Sequence, residues 1–408
     1  MVVCNKLKGN FLSLFTIKSP APQSPTELQS QTFMWLRFPL ALLVLLIHVN
    51  PQNKDIFTPI QTIDISHITV ANIYSIIGRI GFYFSLVAVP FFFFTSGYFF
   101  FYKVREWNVS CYKNKIRKRL KTLLVPYLLW NILALCLVML SKCMGVWILH
   151  KPMDGLIDYL TNIKLGGVFW NFTTWNESTV NLLGLSTQMY GPFLLPLWFL
   201  RDLIVISFVL TPIIYYGIKS LRVYWVVLLG IAYLLNICTL PGINITGVFF
   251  FSWGAYLSIQ QKNVVTTFTP KKNAYLAIAI LSLIGCVVFD STKVALLFQQ
   301  VYCVTAVASL IPLTAVLLNK GVLTVRPQLS QTSFFVYALH PMVILKFSCL
   351  GLAVALTERL FFASLYDVGY ILSYLLSPLL GALFCLIVFA VLKTIMPRFL
   401  NLLTGGRD

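Results

Sequence analysis

The sequence predicts an all-α, polytopic integral membrane protein with about ten transmembrane helices and both termini in the cytoplasm (N-in/C-in). Three observations predict it. Hydrophobic residues make up 58% of the 408 and charged residues only 11%, against roughly 45–50% and about 25% in soluble domains. So few charges cannot cover a water-soluble surface of this size, and the apolar excess faces lipid. The apolar residues also fall in long runs, and backbone in hydrocarbon must satisfy its own hydrogen bonds, so those runs are helices. Finally, the formal charge of +19 is gathered into a few segments between the runs. That is the positive-inside pattern of a membrane protein, and no nucleic-acid partner is expected.

Residues 1–31 read as a cytoplasmic tail holding Lys6, Lys8 and Lys18, with an apolar patch too short for a signal-peptide core. Residues 32–400 form the transmembrane domain, and 401–408 a second cytoplasmic tail. Ten spans are expected near 33–49, 82–102, 123–141, 193–217, 223–240, 247–260, 274–290, 295–318, 329–349 and 370–396, with 247–260 the shortest. An even count puts both termini on one side. If that side is the cytoplasm, 22 of the 31 Lys and Arg lie in inner segments and helix ends, which favours this orientation. The nine Cys lie mostly inside apolar runs without metal-ligand spacing, so no metal site is expected.

The first span, WLRFPLALLVLLIHV, carries Arg37 and His48. Eleven residues at ~100° each return the chain to nearly the same face, so the two share one stripe roughly 16 Å apart. A histidine there suits a general base near neutral pH. It equally suits a ring bonded at the outer interface, with Arg37 as an inner anchor. The segment 103–121 reads as a basic inner loop with eight Lys and Arg and one acid, Glu106. Guanidinium groups pair bidentately with phosphates, so it suits a nucleotide-like donor. It also suits anionic headgroups or simple enforcement of topology.

The longest outer connection, 142–192, mixes Trp147, Trp170 and Trp175 with Asp154, Asp158 and Glu177. Two readings are open for it, a sugar-stacking surface and an interfacial aromatic belt. LPLWFLRDL then places Arg201 and Asp202 inside a span. Adjacent helical residues diverge by ~100°, so each is expected to meet a partner elsewhere or a ligand. In SQTSFFVYALHPMV, His340 lies about eleven residues from the inner end of its span, the depth expected for His48. Two imidazoles at that depth suit one cavity, and His340 also suits a buried ring on a backbone carbonyl.

At these places the sequence resembles the acyltransferase-3 family of bacterial membrane acyltransferases. Arg37-x10-His48 matches the family's most diagnostic pattern. VPFFFFTSGYFFF (89–101), KIRKRLKTLLVPYLLW (115–130), LPLWFLRDLIVI (195–206) and SFFVYALHPMVI (333–344) resemble its later motifs, in order. The resemblance covers roughly 33–396, and 142–192 matches nothing specific. It implies transfer of an acyl group, commonly acetyl, from cytoplasmic acyl-CoA to a carbohydrate hydroxyl, in the bacterial inner membrane and without a metal. The acceptor is a cell-surface or lipid-linked saccharide, to be bound by the membrane core and outer loops.

The resemblance further implies His48 and Arg37 as catalytic residues and Arg37, Arg117, Lys118 and Arg119 as the CoA-binding residues. Ser96, Trp198, Arg201, Asp202, Tyr337 and His340 are substrate or cavity-lining candidates, and Ser96-Gly97 is expected to let helices approach closely. The competing reading is a secondary transporter or flippase for a polar or saccharide solute, for which repeated halves are the usual mark. The sequence shows no such repeat.

Overall fold

The computed structural model describes residues 2–22, 24–49, 67–104, 106–148, 150, 152–153, 157, 161, 165–170, 178–182, 185–189, 191–342, 348–361 and 368–406. Among them, seven helices are long and apolar enough to cross a membrane: Pro25–His48, Val70–Phe101, Val109–Trp147, Leu195–Leu221, Val264–Val288, Lys293–Asn319 and Val368–Ile395. Val223–Leu234 and Ile245–Ile259 are shorter apolar helices. The protein is therefore all-α and polytopic, and most of the expected spans fall on helices. Several helices outrun their apolar stretch because polar turns extend them. The first begins eight residues early at Pro25, where Ser24 caps it by accepting the Glu27 N–H at 3.2 Å and proline suits the first turn.

Two expectations need correction. The span 329–349 is not one helix: Pro327–Gln331 and Ser333–Leu339 are followed by a turn at His340 and Pro341. The cause is Pro341, since a residue before proline is pushed out of the helical region. The basic segment 103–121 is not a loop throughout either. Val109–Arg119 is helical, capped by Asn108, whose Oδ1 accepts the Cys111 N–H at 2.8 Å. Lys and Arg are good helix formers, and their charge does not oppose a helix that packs by one side. Two small antiparallel ladders stand beside the helices, Ser178–Leu182 with Leu185–Met189 and Thr239–Leu240 with Ile243–Asn244. The second turns through Pro241 and Gly242, the latter at φ +85°, where a type II turn requires glycine.

The chain divides into two compact units. One comprises Met1–Lys103, Phe250–Tyr337 and Leu350–Ile395. Its N-terminal helix, Val2–Thr16, packs on Val368–Ile395, with Asn10 donating to the Thr394 hydroxyl at 3.0 Å. Buried Gln29 ties three helices together: its amide donates to the Tyr98 hydroxyl at 2.8 Å and its carbonyl accepts the Val264 N–H at 2.5 Å. Helix Val70–Ser85 is held to the hairpin of Lys272–Val288 and Lys293–Asn319 by Asp290. That carboxylate pairs with Arg79 at 2.8 Å and accepts the Tyr83 hydroxyl at 2.6 Å.

The other unit comprises Val104–Phe249, Ala338–Cys349 and Met396–Asp408. Here Val109–Trp147 runs antiparallel to Leu195–Leu221. Trp107 stacks on Tyr215 with ring centroids 5.1 Å apart, the Tyr112 hydroxyl donates to the Phe208 carbonyl, and Asn131 Oδ1 accepts the Leu194 N–H at 2.9 Å. Each helical run widens into a π turn, at Leu120–Leu124 and at Ile206–Leu210. Each π turn lies just ahead of a proline, Pro126 or Pro212, which lacks an N–H and crowds the preceding turn. The C-terminal helix Pro397–Thr404 docks on the first of these, and Trp130 Nε1 donates to the Leu403 carbonyl at 2.9 Å.

Candidate active site

Helix Pro25–His48 carries the expected Arg-His stripe. Arg37 and His48 each keep more than a third of their surface accessible. At ~100° per residue they lie about 20° apart on the helix circumference. That position falls between Ala41 and Val44, which are 0% and 3% exposed. Phe33, Leu36 and Leu40 on the same side are also buried. Two polar side chains with accessible surface therefore interrupt the buried side of this helix.

His48 is the last helical residue, and its Nδ1 lies 2.7 Å from the Val44 carbonyl. A carbonyl only accepts, so Nδ1 carries the proton. In the neutral ring this leaves Nε2 with the basic lone pair. The bond to the preceding turn also fixes the ring's orientation. The helix thus supplies an accessible, oriented base and, about three turns away, an accessible cation.

In the same unit, Ser96 is half-buried on Ala88–Phe101. Its neighbour Gly97 makes the close approach: a Cβ there would lie 2.0 Å from the Phe251 carbonyl oxygen. Tyr337 is buried, at 6% exposure.

The remaining candidates belong to the other unit. Arg117 and Lys118 are exposed and Arg119 half-buried at the C-terminal end of Val109–Arg119. This helix lies against Ile206–Leu210, and Leu120–Leu124 against Trp198–Val205. The helix that carries the basic residues therefore lies along an apolar span.

Trp198 is half-buried. Arg201 and Asp202 are buried and, against expectation, pair with each other: Nε and Nη2 of Arg201 both lie 2.9 Å from Asp202 Oδ1. The long guanidinium arm curls back across the ~100° that separates neighbouring residues. The pair also reaches outward. Arg201 Nη1 donates to the Trp170 carbonyl at 2.9 Å, and Asp202 Oδ1 accepts the Gly242 N–H at 2.7 Å. His340 has no accessible surface, so it does not share the exposure of His48. Among the described residues no three His, Cys, Asp or Glu side chains cluster as a metal site would require.

Sequence reasoning missed Tyr112, Gln29, Gly242 and the anchoring of Trp170. Only Gly242 had a local signal, the Pro-Gly dipeptide between two β-prone residues. In the outer connection, Asp154, Asp158, Trp175 and Glu177 lie outside the described residues. Trp147 is 77% exposed and Trp170 42%.

The family model described as an acyltransferase domain matches residues 32–393. The chain belongs to the acyltransferase-3 family. Its match runs from the start of the Arg-His helix to the end of the last long apolar helix, so both units lie within one acyltransferase-3 domain. The protein is a multi-pass membrane acyltransferase. No curated protein and no solved structure matches the chain.

Proposed function

We propose that this acyltransferase moves an acetyl group from cytoplasmic acetyl-CoA to a hydroxyl of a cell-surface or lipid-linked carbohydrate, in a bacterial inner membrane. One observation carries the chemistry: His48 keeps accessible surface on an otherwise buried side of its helix, and its Nδ1 faces the Val44 carbonyl, which selects the tautomer in which Nε2 is the basic nitrogen. Nε2 removes the proton of the acceptor hydroxyl as its oxygen attacks the thioester carbonyl. The carbon–sulfur bond then breaks, and the imidazolium returns its proton to the departing CoA thiolate. Arg37, on the same stripe, places positive charge beside the developing oxyanion or a phosphate.

Arg117, Lys118 and Arg119 are assigned the phosphates of CoA. The support is that the helix carrying them lies along an apolar span, and that guanidinium and ammonium groups clustered there suit phosphate oxygens. The acetyl donor, the carbohydrate acceptor and the bacterial membrane rest on the family resemblance.

The test uses the purified full-length protein in vesicles with labelled acetyl-CoA and glycans. His48→Ala and His48→Gln should lower transfer by on the order of 10²–10⁴-fold at unchanged membrane levels. Wild-type transfer in either variant rejects the base. Solute flux without acetyl-CoA, and no label transferred, would instead indicate a transporter.

A further inference from the structure

The buried pair of Arg201 and Asp202 is not used in the chemistry assigned to His48, and its contacts have one common feature. They all fix the surroundings of a single exposed aromatic ring. Arg201 Nη1 holds the Trp170 carbonyl at 2.9 Å, and its guanidinium carbon lies 5.4 Å from the Trp170 ring centroid. Asp202 holds the Gly242 N–H at 2.7 Å. Gly242 in turn presents a bare Cα to that ring, where a Cβ would stand 3.0 Å from the indole and 3.0 Å from Val205 Cγ2.

The neighbouring backbone is fixed as well. The Tyr127 hydroxyl donates to the Phe169 carbonyl, and the Phe193 N–H to the Val168 carbonyl at 2.8 Å. A buried ion pair is weak evidence for stability, because its desolvation offsets its attraction. Here it aims and immobilises a ring that keeps 42% of its surface open.

We propose that Trp170 is an acceptor-binding residue, an aromatic platform on which a saccharide ring of the acceptor stacks. This rests on the transferase reading above. A rigid indole offers a large apolar face with little ordering cost on binding, which suits the C–H face of a pyranose. The guanidinium beside the ring disfavours a quaternary ammonium, the other common ligand of an exposed indole. Trp170 also stands near the start of Leu195–Leu221, the end opposite Lys219 and Arg222, and so on the outer side in the expected orientation. Arg201 and Asp202 are then positioning residues.

The test compares Trp170→Phe, Trp170→Leu and Trp170→Ala in vesicles, with acetyl-CoA and the glycan fraction extracted from the producing cells. Trp170→Phe should stay within about threefold of wild type. The Leu and Ala variants should raise the KM for glycan about tenfold, with a much smaller change in the KM for acetyl-CoA. Wild-type transfer by Trp170→Leu would overturn the proposal, since bulk alone would suffice.

A second measurement needs no turnover. The fluorescence difference between wild type and Trp170→Phe should be quenched by the glycan fraction and not by brominated phosphatidylcholine. Quenching by the lipid alone makes Trp170 a membrane anchor and sinks the platform, even where wild-type transfer stands. Quenching by glycan with no transfer by the wild type sinks the transferase reading and leaves the platform.

Discussion

Pro212 interrupts an apolar helix, and its neighbours repair the damage. Its missing N–H would have served the Phe208 carbonyl in an α turn or the Ser207 carbonyl in a π turn. Both are taken by hydroxyls: Thr211 donates to Ser207 at 2.9 Å and Tyr112 to Phe208. Tyr112 thereby docks the basic helix onto the span beside it. Tyr112→Phe should lower unfolding stability by about 1–3 kcal/mol, the cost of a stranded buried carbonyl. Pro212→Ala should recover most of that loss, because its N–H returns to the helix. Thermal unfolding of the four proteins of this double-mutant cycle in detergent checks the coupling. Simple additivity would show that the hydroxyl does not serve the proline's vacancy. The repair was not legible in the sequence, because Tyr112 and Phe208 are 96 positions apart and neither belongs to a pattern. Arg37 and His48 were legible, because helical spacing alone puts them on one stripe.

Helices Ala88–Phe101 and Ile245–Ile259 meet through reciprocal glycines. A Cβ on Gly97 would lie 2.0 Å from the Phe251 oxygen, and one on Gly254 would lie 2.0 Å from the Phe94 oxygen. In each case the obstacle is backbone, which cannot rotate aside as a side chain does. Gly97→Ala and Gly254→Ala should each force the helices apart at a cost of about 3 kcal/mol or more. Ser96→Ala, at a half-buried position, should cost less than about 1 kcal/mol. Yield of monodisperse protein and the thermal midpoint measure this, and equal behaviour of the three variants would refute the crossing. The Ser96-Gly97 half of the crossing was readable as a small pair in a Phe-rich run. Gly254 was not, since ITGVFFFSWGAYL reads only as a short apolar stretch. The same limit explains the basic segment 103–121. Hydropathy marks where lipid-facing runs end, not whether a charged continuation stays helical, and the cap at Asn108 decides that locally. Arg201 and Asp202 were legible as buried charges needing partners. Their mutual pairing was not, because backbone spacing ignores the reach of the guanidinium arm.

Over the whole molecule, the donor binding proposed for the basic helix and its share of the charge bias separate by experiment. Most of the 31 Lys and Arg lie at what the charge bias makes the cytoplasmic side. Removing three of them leaves a strong bias in place, so orientation should survive. Arg117, Lys118 and Arg119 end the helix that lies against Ile206–Leu210, and in the proposed donor site distant Lys and Arg cannot replace them. The triple variant Arg117→Gln, Lys118→Gln, Arg119→Gln should therefore keep the topology of the parent. A green fluorescent protein fused after Asp408 should still fluoresce, and alkaline phosphatase fused within 142–192 should still be active. The KM for acetyl-CoA should rise at least roughly tenfold, since charge-assisted contacts to phosphate are strong, while the glycan KM moves less. An inverted fusion pattern would make the segment a topology signal. An unchanged KM for acetyl-CoA would remove these three residues from the donor site, whatever the orientation of the chain.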